Sequence, residues 1–322
     1  MSDRVVYWRD RWIPEKEARV PLFDAAVIAG EAAFEVTRTF RHQPFRLEAH
    51  LDRLQGSLEV LKIELPFSLS KLREVTEETL AKNLPTEDSS VDWQIIHNIS
   101  RGPVSDYRLC FPSETFQTTL IIACFPLVPR LAKMAKFYQE GVDLCLVEQP
   151  AIPTEMLPTH IKTRGRLHYQ LAAIEAEQKF PGQWPILLHP EGHLTEGTSY
   201  NLFWFSNGEL YTAPERDVLV GITRGVVIET ARRLGMTVRE EAHLPEALAN
   251  AEEAFVTATT FGLLHARSVQ GKPLETGSEI GPKTRQLRTA LHEVFGIDFE
   301  QQAIDYREML LDWQSRQTPS FL

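Results

Sequence analysis

Residues 157–176 read LPTHIKTRGRLHYQLAAIEA, and Lys162 stands at their hinge. Before it the chain is punctuated by proline, which favours extended backbone. After it Leu167, Leu171 and Ile174 recur at i, i+4 and i+7, a pattern that predicts a helix starting near Thr163–Gly165. A lysine held between short backbone on one side and a packed helix on the other suits an amine that must form a Schiff base and then move a proton. Taken alone, Lys162 reads as a surface lysine, so the weight falls on the residues around it.

A chain of 322 residues is long enough for two domains, each with its own core. With 43% hydrophobic and 24% charged residues it has the composition of a soluble globular protein, and no apolar run is long enough to span a bilayer. The formal net charge of −10, with no basic tail or stripe, argues against a nucleic-acid partner. The first residues, MSDRVVYWRDRWIP, contain no apolar core of the secretory kind. Cys110, Cys124 and Cys145 show neither CxxC pairing nor histidine clustering. They read as reduced, buried thiols of a cytoplasmic protein, and no metal is expected.

Along the chain, residues 4–20 read as strand, turn, strand, and a β-rich run over Phe34, Val36, Thr37 and Phe40 turns at His42-Gln43-Pro44. Leu51, Leu54, Leu58 and Leu61 line one face of a helix from which Arg53 projects away. Ser68 offers an N-cap to a second helix. WQIIHNIS and TTLIIACFPLV are strands, which completes an α/β domain over residues 1–128. Residues 129–140 form a connector, and 141–322 form the larger domain. There WPILLHPEGHLTEGTSYNLFWFSNGELYTAP is a meander. GITRGVVIETARRLG is a helix beginning near Thr223 and stopping at Gly235, and EEAFVTATTFGLLHARSV gives two strands around a Thr-rich loop. After a last helix in GPKTRQLRTALHEVF, the tail reads as loosely packed.

Four features of the second half form a set. They are Lys162, the turn glutamate Glu196, the helix start Gly221-Ile222-Thr223, and the hydroxyls of Thr257-Ala258-Thr259-Thr260. A helix N-terminus presents free N–H groups to a dianionic phosphate, and threonine hydroxyls complete such a cradle. A carboxylate beside a pyridine nitrogen keeps it protonated and strengthens its pull on electrons. Each feature alone also has an ordinary structural reading.

In order and wording the chain resembles the class IV, or fold-type IV, pyridoxal-phosphate aminotransferases. This group holds branched-chain and D-amino-acid aminotransferases, (R)-amine transaminases and aminodeoxychorismate lyases. The segments that carry the resemblance are IKTRGRLHYQLAAIEA, LTEGTSYNLFWFSNGELYTAP, GITRGVVIETARRLG, FEVTRTF and HLDRLQGSLEVL, and they span roughly Asp24 to Phe295. The resemblance implies a small N-terminal α/β sandwich domain and a larger C-terminal domain with a barrel-like β core, with pyridoxal 5'-phosphate as cofactor between them. It also implies a homodimer whose partner's small domain closes each site. Lys162 would be the catalytic lysine and Glu196 the partner of the pyridine nitrogen. Arg53, Gly221, Ile222, Thr223, Thr259 and Thr260 would hold the phosphate end. The implied chemistry is ping-pong transfer of an amino group from an amino acid or chiral amine to a 2-keto acid.

Substrate choice is less legible. The Arg-x-His pair by which the D-amino-acid enzymes take the substrate carboxylate is absent from RGPVSDYRLC (residues 101–110). The branched-chain Phe-Glu-Gly is Phe34-Glu35-Val36, and their tyrosine after the lysine is Leu167. Phe34, Val36 and Leu167 suggest an apolar pocket, with Thr260 beside it and Arg38, Arg101 or Arg108 as candidate carboxylate partners. A lyase of the aminodeoxychorismate type, favoured by the Ser100-Arg101-Gly102 turn, and a cofactor-binding protein without turnover are the alternatives.

Overall fold

Two short runs rich in apolar and aromatic residues at the start of the chain close into a hairpin, β1 (Val5–Trp8) and β2 (Arg11–Pro14), in a computed structural model that describes residues 4–104 and 117–317. A short helix α1 (Ala25–Ile28), the long strand β3 (Ala32–Phe40) and the two-residue strand β4 (Gln43–Pro44) follow. Next come the helices α2 (Leu47–Leu61) and α3 (Leu69–Asn83) and the strands β5 (Trp93–Ser100) and β6 (Thr119–Pro126). The strands form one antiparallel sheet in the order β2-β1-β6-β5-β3-β4. The predicted leucine stripe of α2 is buried at Leu51, Leu54 and Leu58, against Trp93, Ile95 and Ile122 of the sheet and Leu72 and Val75 of α3. Each such leucine contributes roughly 1.5–3 kcal/mol. The Ser68 hydroxyl accepts the Lys71 N–H at 3.2 Å and caps α3 as predicted.

The chain divides into two compact units, and the division has a detail that the sequence does not announce. The first unit is Met1–Leu127 together with the six residues Ile161–Arg166, and the second is Val128–His160 with Leu167–Leu322. The segment around Lys162 therefore belongs to the first sheet, not to the body of the second unit.

The second unit opens with α4 (Val128–Leu131), α5 (Ala135–Glu140) and β7 (Val142–Leu146). After α6 (Leu167–Lys179) the meander runs through β8 (Trp184–Leu188), β9 (Leu194–Gly197), β10 (Asn201–Ser206) and β11 (Glu209–Thr212). Then come α7 (Ile222–Arg233), β12 (Val238–Glu240), α8 (Pro245–Ala249), β13 (Glu253–Ala258), β14 (Gly262–Val269) and β15 (Lys272–Pro273). Two helices end the unit, α9 (Pro282–Phe295) and α10 (Phe299–Gln317). The strands run β10-β13-β14-β7-β8-β9, and β9 pairs back onto β10 through Glu196 and Asn201, closing a six-stranded barrel. Phe203 and Phe255 stack at 5.0 Å, both fully buried.

Two expectations are corrected here. The tail is not loose: α10 buries Phe299, Ala303 and Tyr306, and Phe299 packs on Tyr138 of α5 at 5.8 Å. The helix after Lys162 begins at Leu167, because the preceding residues are held extended along β3. It buries Ala172 and Ala176, while Leu167, Leu171 and Ile174 are 70%, 45% and 43% exposed. Cys124 and Cys145 are free and buried, and Cys110 lies outside the described residues. Burial pushes the Cys145 thiol up to about 11, so it is inert at neutral pH.

Candidate active site

Residues 161–166 add to the edge of β3 as a short extended segment. Phe34 N–H donates to the Lys162 carbonyl at 3.0 Å, Arg164 N–H donates to the Ala32 carbonyl at 2.8 Å, and Thr163 bridges Ala33. From α2, the Ser57 hydroxyl accepts the Lys162 N–H at 3.0 Å. These backbone bonds fix the lysine on the sheet. Its Nζ lies 3.5 Å from Glu35 Oε1 and 5.3 Å from the Phe34 ring centre, with the side chain 12% exposed. Burial lowers the Lys162 amine to about 8, against the opposing pull of Glu35 and with help from the Arg53 and Arg166 cations. An amine in that range is partly neutral at physiological pH, as a nucleophile and proton carrier requires.

Glu35 is the hub of this cluster and was not singled out from the sequence. It is fully buried, and Arg53 on α2 binds it with both Nε (2.9 Å) and a terminal nitrogen (2.7 Å). His50, one turn earlier, places Nδ1 3.0 Å from the same carboxylate. Burial alone would push the Glu35 carboxyl up. Arg53, Lys162 and His50 together outweigh it and hold the group well below the usual carboxylate range. The signal was present, since Glu35 lies one step along β3 from Phe34 and Arg53 lies one turn from His50. Nothing in the sequence shows that they meet.

The structure rearranges the candidate substrate residues. Phe34 is buried, with the Arg164 guanidinium 3.9 Å from its ring centre, and Arg164 is itself held by Asn98 at 2.8 Å. Val36 is half-buried. Arg38 is buried, with its guanidinium 4.2 Å over the Phe40 ring. Arg101 is engaged at the end of α2. It donates to Glu31 and to the carbonyls of Leu61 and Lys62, where it caps α2. Arg108 lies outside the described residues.

In the second unit the strand closure builds a second cluster. Glu196 and Asn201 are cross-strand partners, and Asn201 is in turn opposite Thr257. Buried Glu196 accepts from the Tyr169 hydroxyl at 2.5 Å, Asn201 Nδ2 at 3.0 Å and Leu219 N–H at 3.2 Å. These three donors fix the carboxylate in one orientation. Asn201 also donates to the Leu219 carbonyl at 3.0 Å, which ties this loop to the start of α7. Gly221 is the N-cap of α7, and a Cβ there would collide with Asn201 Oδ1. Glycine at this helix start is therefore a packing requirement, and it leaves the first N–H groups of Ile222 and Thr223 without a capping side chain of residue 221. Thr259 and Thr260 form the half-buried turn between β13 and β14, while the buried Thr257 hydroxyl has no partner among the described residues. Tyr169 and Asn201 were missed from the sequence. Asn201 could have been found by its five-residue offset from Glu196 across a hairpin.

A family model for amino-transferase class IV matches residues 32–269. The chain belongs to that family. The branched-chain-amino-acid aminotransferase of Escherichia coli strain K12 is 27% identical over 290 residues, which are 88% of this chain and 90% of that one. A crystal structure of the E. coli branched-chain amino acid aminotransferase covers 91% of this chain and 95% of its own at a TM-score of 0.80 and 26% identity. The branched-chain aminotransferase of the thermophilic archaeon Thermoproteus uzoniensis, crystallised with norvaline, covers 94% and 98%, at 0.77 and 28%. Fold-type IV architecture and the aminotransferase assignment thus stand on both sequence and structure.

Class IV aminotransferases use pyridoxal phosphate, and the residues present fit that group. The lowered Lys162 amine suits a covalent bond to its aldehyde, and buried Glu196 suits its pyridine nitrogen. The glycine-capped start of α7, a twelve-residue helix, and the threonine turn suit its phosphate.

Proposed function

We propose that this aminotransferase moves the amino group of an apolar, branched-chain-like L-amino acid to a 2-keto acid, with pyridoxal phosphate bonded to Lys162. The observation that carries the chemistry is the buried Lys162 amine, lowered to about 8 beside Glu35 and the Phe34 ring. The branched-chain relatives support the donor class.

When bound, pyridoxal phosphate supplies a protonated ring that draws electrons from the donor's α-carbon. Lys162 Nζ takes the proton from that carbon and returns it on the far side of the transfer. Its lowered basicity leaves a neutral fraction for the first task and makes the cation acidic enough for the second. Glu196, oriented by Tyr169 and Asn201, holds the proton at the pyridine nitrogen. Ile222 and Thr223 backbone N–H groups, the Thr259 hydroxyl and Arg53 hold the phosphate. The salt bridge to Glu35 fixes Arg53 in one rotamer for this work. Phe34, Val36 and Thr260 border the substrate, and Arg164, packed on Phe34, is a cation near that wall. The active enzyme on this reading is a homodimer.

The test follows the cofactor absorption band of the holoenzyme while donors are added. L-Leucine or L-valine is expected to bleach it and release the matching 2-keto acid. Bleaching by D-alanine or an (R)-amine alone would reassign the donor, and pyruvate release from aminodeoxychorismate without an acceptor would replace transfer by a lyase reaction. Lys162→Ala is expected to lose about 10²–10⁴ in rate or more, the typical worth of general acid–base catalysis, while remaining folded. Glu196→Gln is expected to slow the half-reaction far more than it lowers the unfolding midpoint.

A further inference from the structure

A substrate carboxylate needs a cation near Lys162. The Arg-x-His pair is absent from residues 101–110, Arg38 is buried over Phe40, and Arg101 is engaged at the end of α2. Two arginines that the sequence did not single out gather beside the lysine instead. The bonds that flank the Thr163–Ala33 bridge hold residues 162–164 extended against β3. Alternate residues of an extended chain share a face, so Lys162 and Arg164 project to the side opposite Thr163. Ala33 lies in the core with the leucines of α2 and α3, which leaves Phe34 on that same opposite side.

The three cations of this segment meet at the Phe34 ring. Lys162 Nζ lies 5.3 Å from the ring centre, the Arg164 guanidinium carbon 3.9 Å and that of Arg166 5.7 Å. The first two distances put the Arg164 guanidinium no more than about 9 Å from the reactive amine. Arg164 is exposed, and β5 fixes its direction. Asn98 lies opposite Phe34 in the register of β5 with β3, and its Oδ1 accepts from Arg164 Nε at 2.8 Å and from a terminal nitrogen at 2.5 Å. Asn98 is neutral, so it orients the fork without cancelling its charge. It takes the side edge of the guanidinium, which turns the end edge, with both terminal nitrogens, away from Asn98. Such an edge meets a carboxylate through two parallel hydrogen bonds.

We propose that Arg164, packed on Phe34 and positioned by Asn98, binds the α-carboxylate of the donor amino acid and of the keto acid that accepts its amino group. This rests on the aminotransferase reading in which Lys162 is the reactive amine. Donor and acceptor both carry the carboxylate on the carbon that loses or gains the nitrogen, so one cation serves both halves of the reaction. Arg166, the second arginine at the ring, adds positive potential without the fixed fork. The Phe34 ring serves twice, as apolar wall for the side chain of the substrate and as a platform for the guanidinium. An anion-binding cation at this place favours amino acids over amines that lack a carboxylate.

The experiment follows the half-reaction of the holoenzyme with L-leucine and with 3-methylbutylamine, which is leucine without its carboxylate. Arg164→Gln is expected to slow L-leucine about 10–100-fold, the worth of a charge-assisted pair, and to slow the amine far less. Calorimetric affinity for 4-methylpentanoate, a carboxylate with no amine to transfer, should fall by the same factor, and Arg164→Lys should recover part of it. Asn98→Ala keeps the cation but loosens it, so KM for L-leucine should rise while the amine is little affected. Equal slowing of both substrates by Arg164→Gln, unchanged affinity for 4-methylpentanoate, or a loss seen only in Arg166→Gln overturns the assignment. A wild type that takes the amine and not L-leucine overturns the donor reading as well. The 4-methylpentanoate titration needs no turnover, so it judges Arg164 even where that reading fails.

Discussion

At Lys162 two opposing effects meet: burial favours the neutral amine, and Glu35 favours the cation. Burial wins, so between pH 8 and 10.5 the folded chain binds fewer protons at this group than the unfolded one, and stability rises with pH across that interval. In the cofactor-free protein, acylation of Lys162 followed by peptide mapping should titrate near 8, well below the ~10.4 of surface lysines. Glu35→Gln removes the one anion opposing burial, and the Lys162 midpoint should then fall further; an unchanged midpoint would separate the two residues. The same substitution strands Arg53 and is expected to cost about 3–5 kcal/mol in denaturant unfolding. Glu35 has a depressed folded pKa, so its stabilisation is complete above about pH 4.3 and is lost as the pH falls through the folded value. Acid unfolding of Glu35→Gln should accordingly depend less steeply on pH than that of the wild type.

Two helix starts make a contrast at the scale of elements. α3 is capped by a side chain, Ser68, and α7 starts at a glycine that packs against Asn201. Ser68→Ala should cost about 1 kcal/mol and leave pyridoxal-phosphate affinity unchanged. Gly221→Ala drives a methyl into Asn201 Oδ1 and should cost about 1–3 kcal/mol by overpacking. It should also weaken the cofactor, because Asn201 is what holds both Glu196 and the loop before α7. Thermal unfolding and a cofactor titration on the two variants check this. Equal cofactor affinity in both would remove α7 from the phosphate site.

On the scale of the whole molecule, α6 stands out. Its apolar stripe of Leu167, Leu171 and Ile174 is left open to solvent by the described residues. Among those residues no helix is long and apolar enough to cross a membrane. A second copy of the chain is the occupant that the homodimer reading supplies. Light scattering on a sizing column should give twice the chain mass for the wild type, and Leu171→Glu should shift it toward the monomer. A wild-type monomer, or an undisturbed Leu171→Glu dimer, would send the interface elsewhere.

Local pattern determined much of this protein. The leucine stripe of α2, the Ser68 cap, the hairpins of the barrel and the start of α7 depend on spacing within a few residues, and they stand where the sequence placed them. Lys162 and Glu196 stood out because each sits in a long motif with distinctive wording, and the structure sets each among polar partners. Tertiary structure decided the rest. The segment 161–166 lies on β3 because β3 had an open edge for its backbone to pair with, and no local signal reports an edge more than a hundred residues away. The i, i+4, i+7 spacing of the α6 stripe marks a helix but not what covers it, and the described residues leave the stripe open to solvent. Glu35, Tyr169 and Asn201 gained their partners, and Arg38 and Arg101 theirs, through side chains brought together from distant parts of the chain. The pKa of the Lys162 amine depends on the same thing, since burial and the charges around it exist only in the folded state.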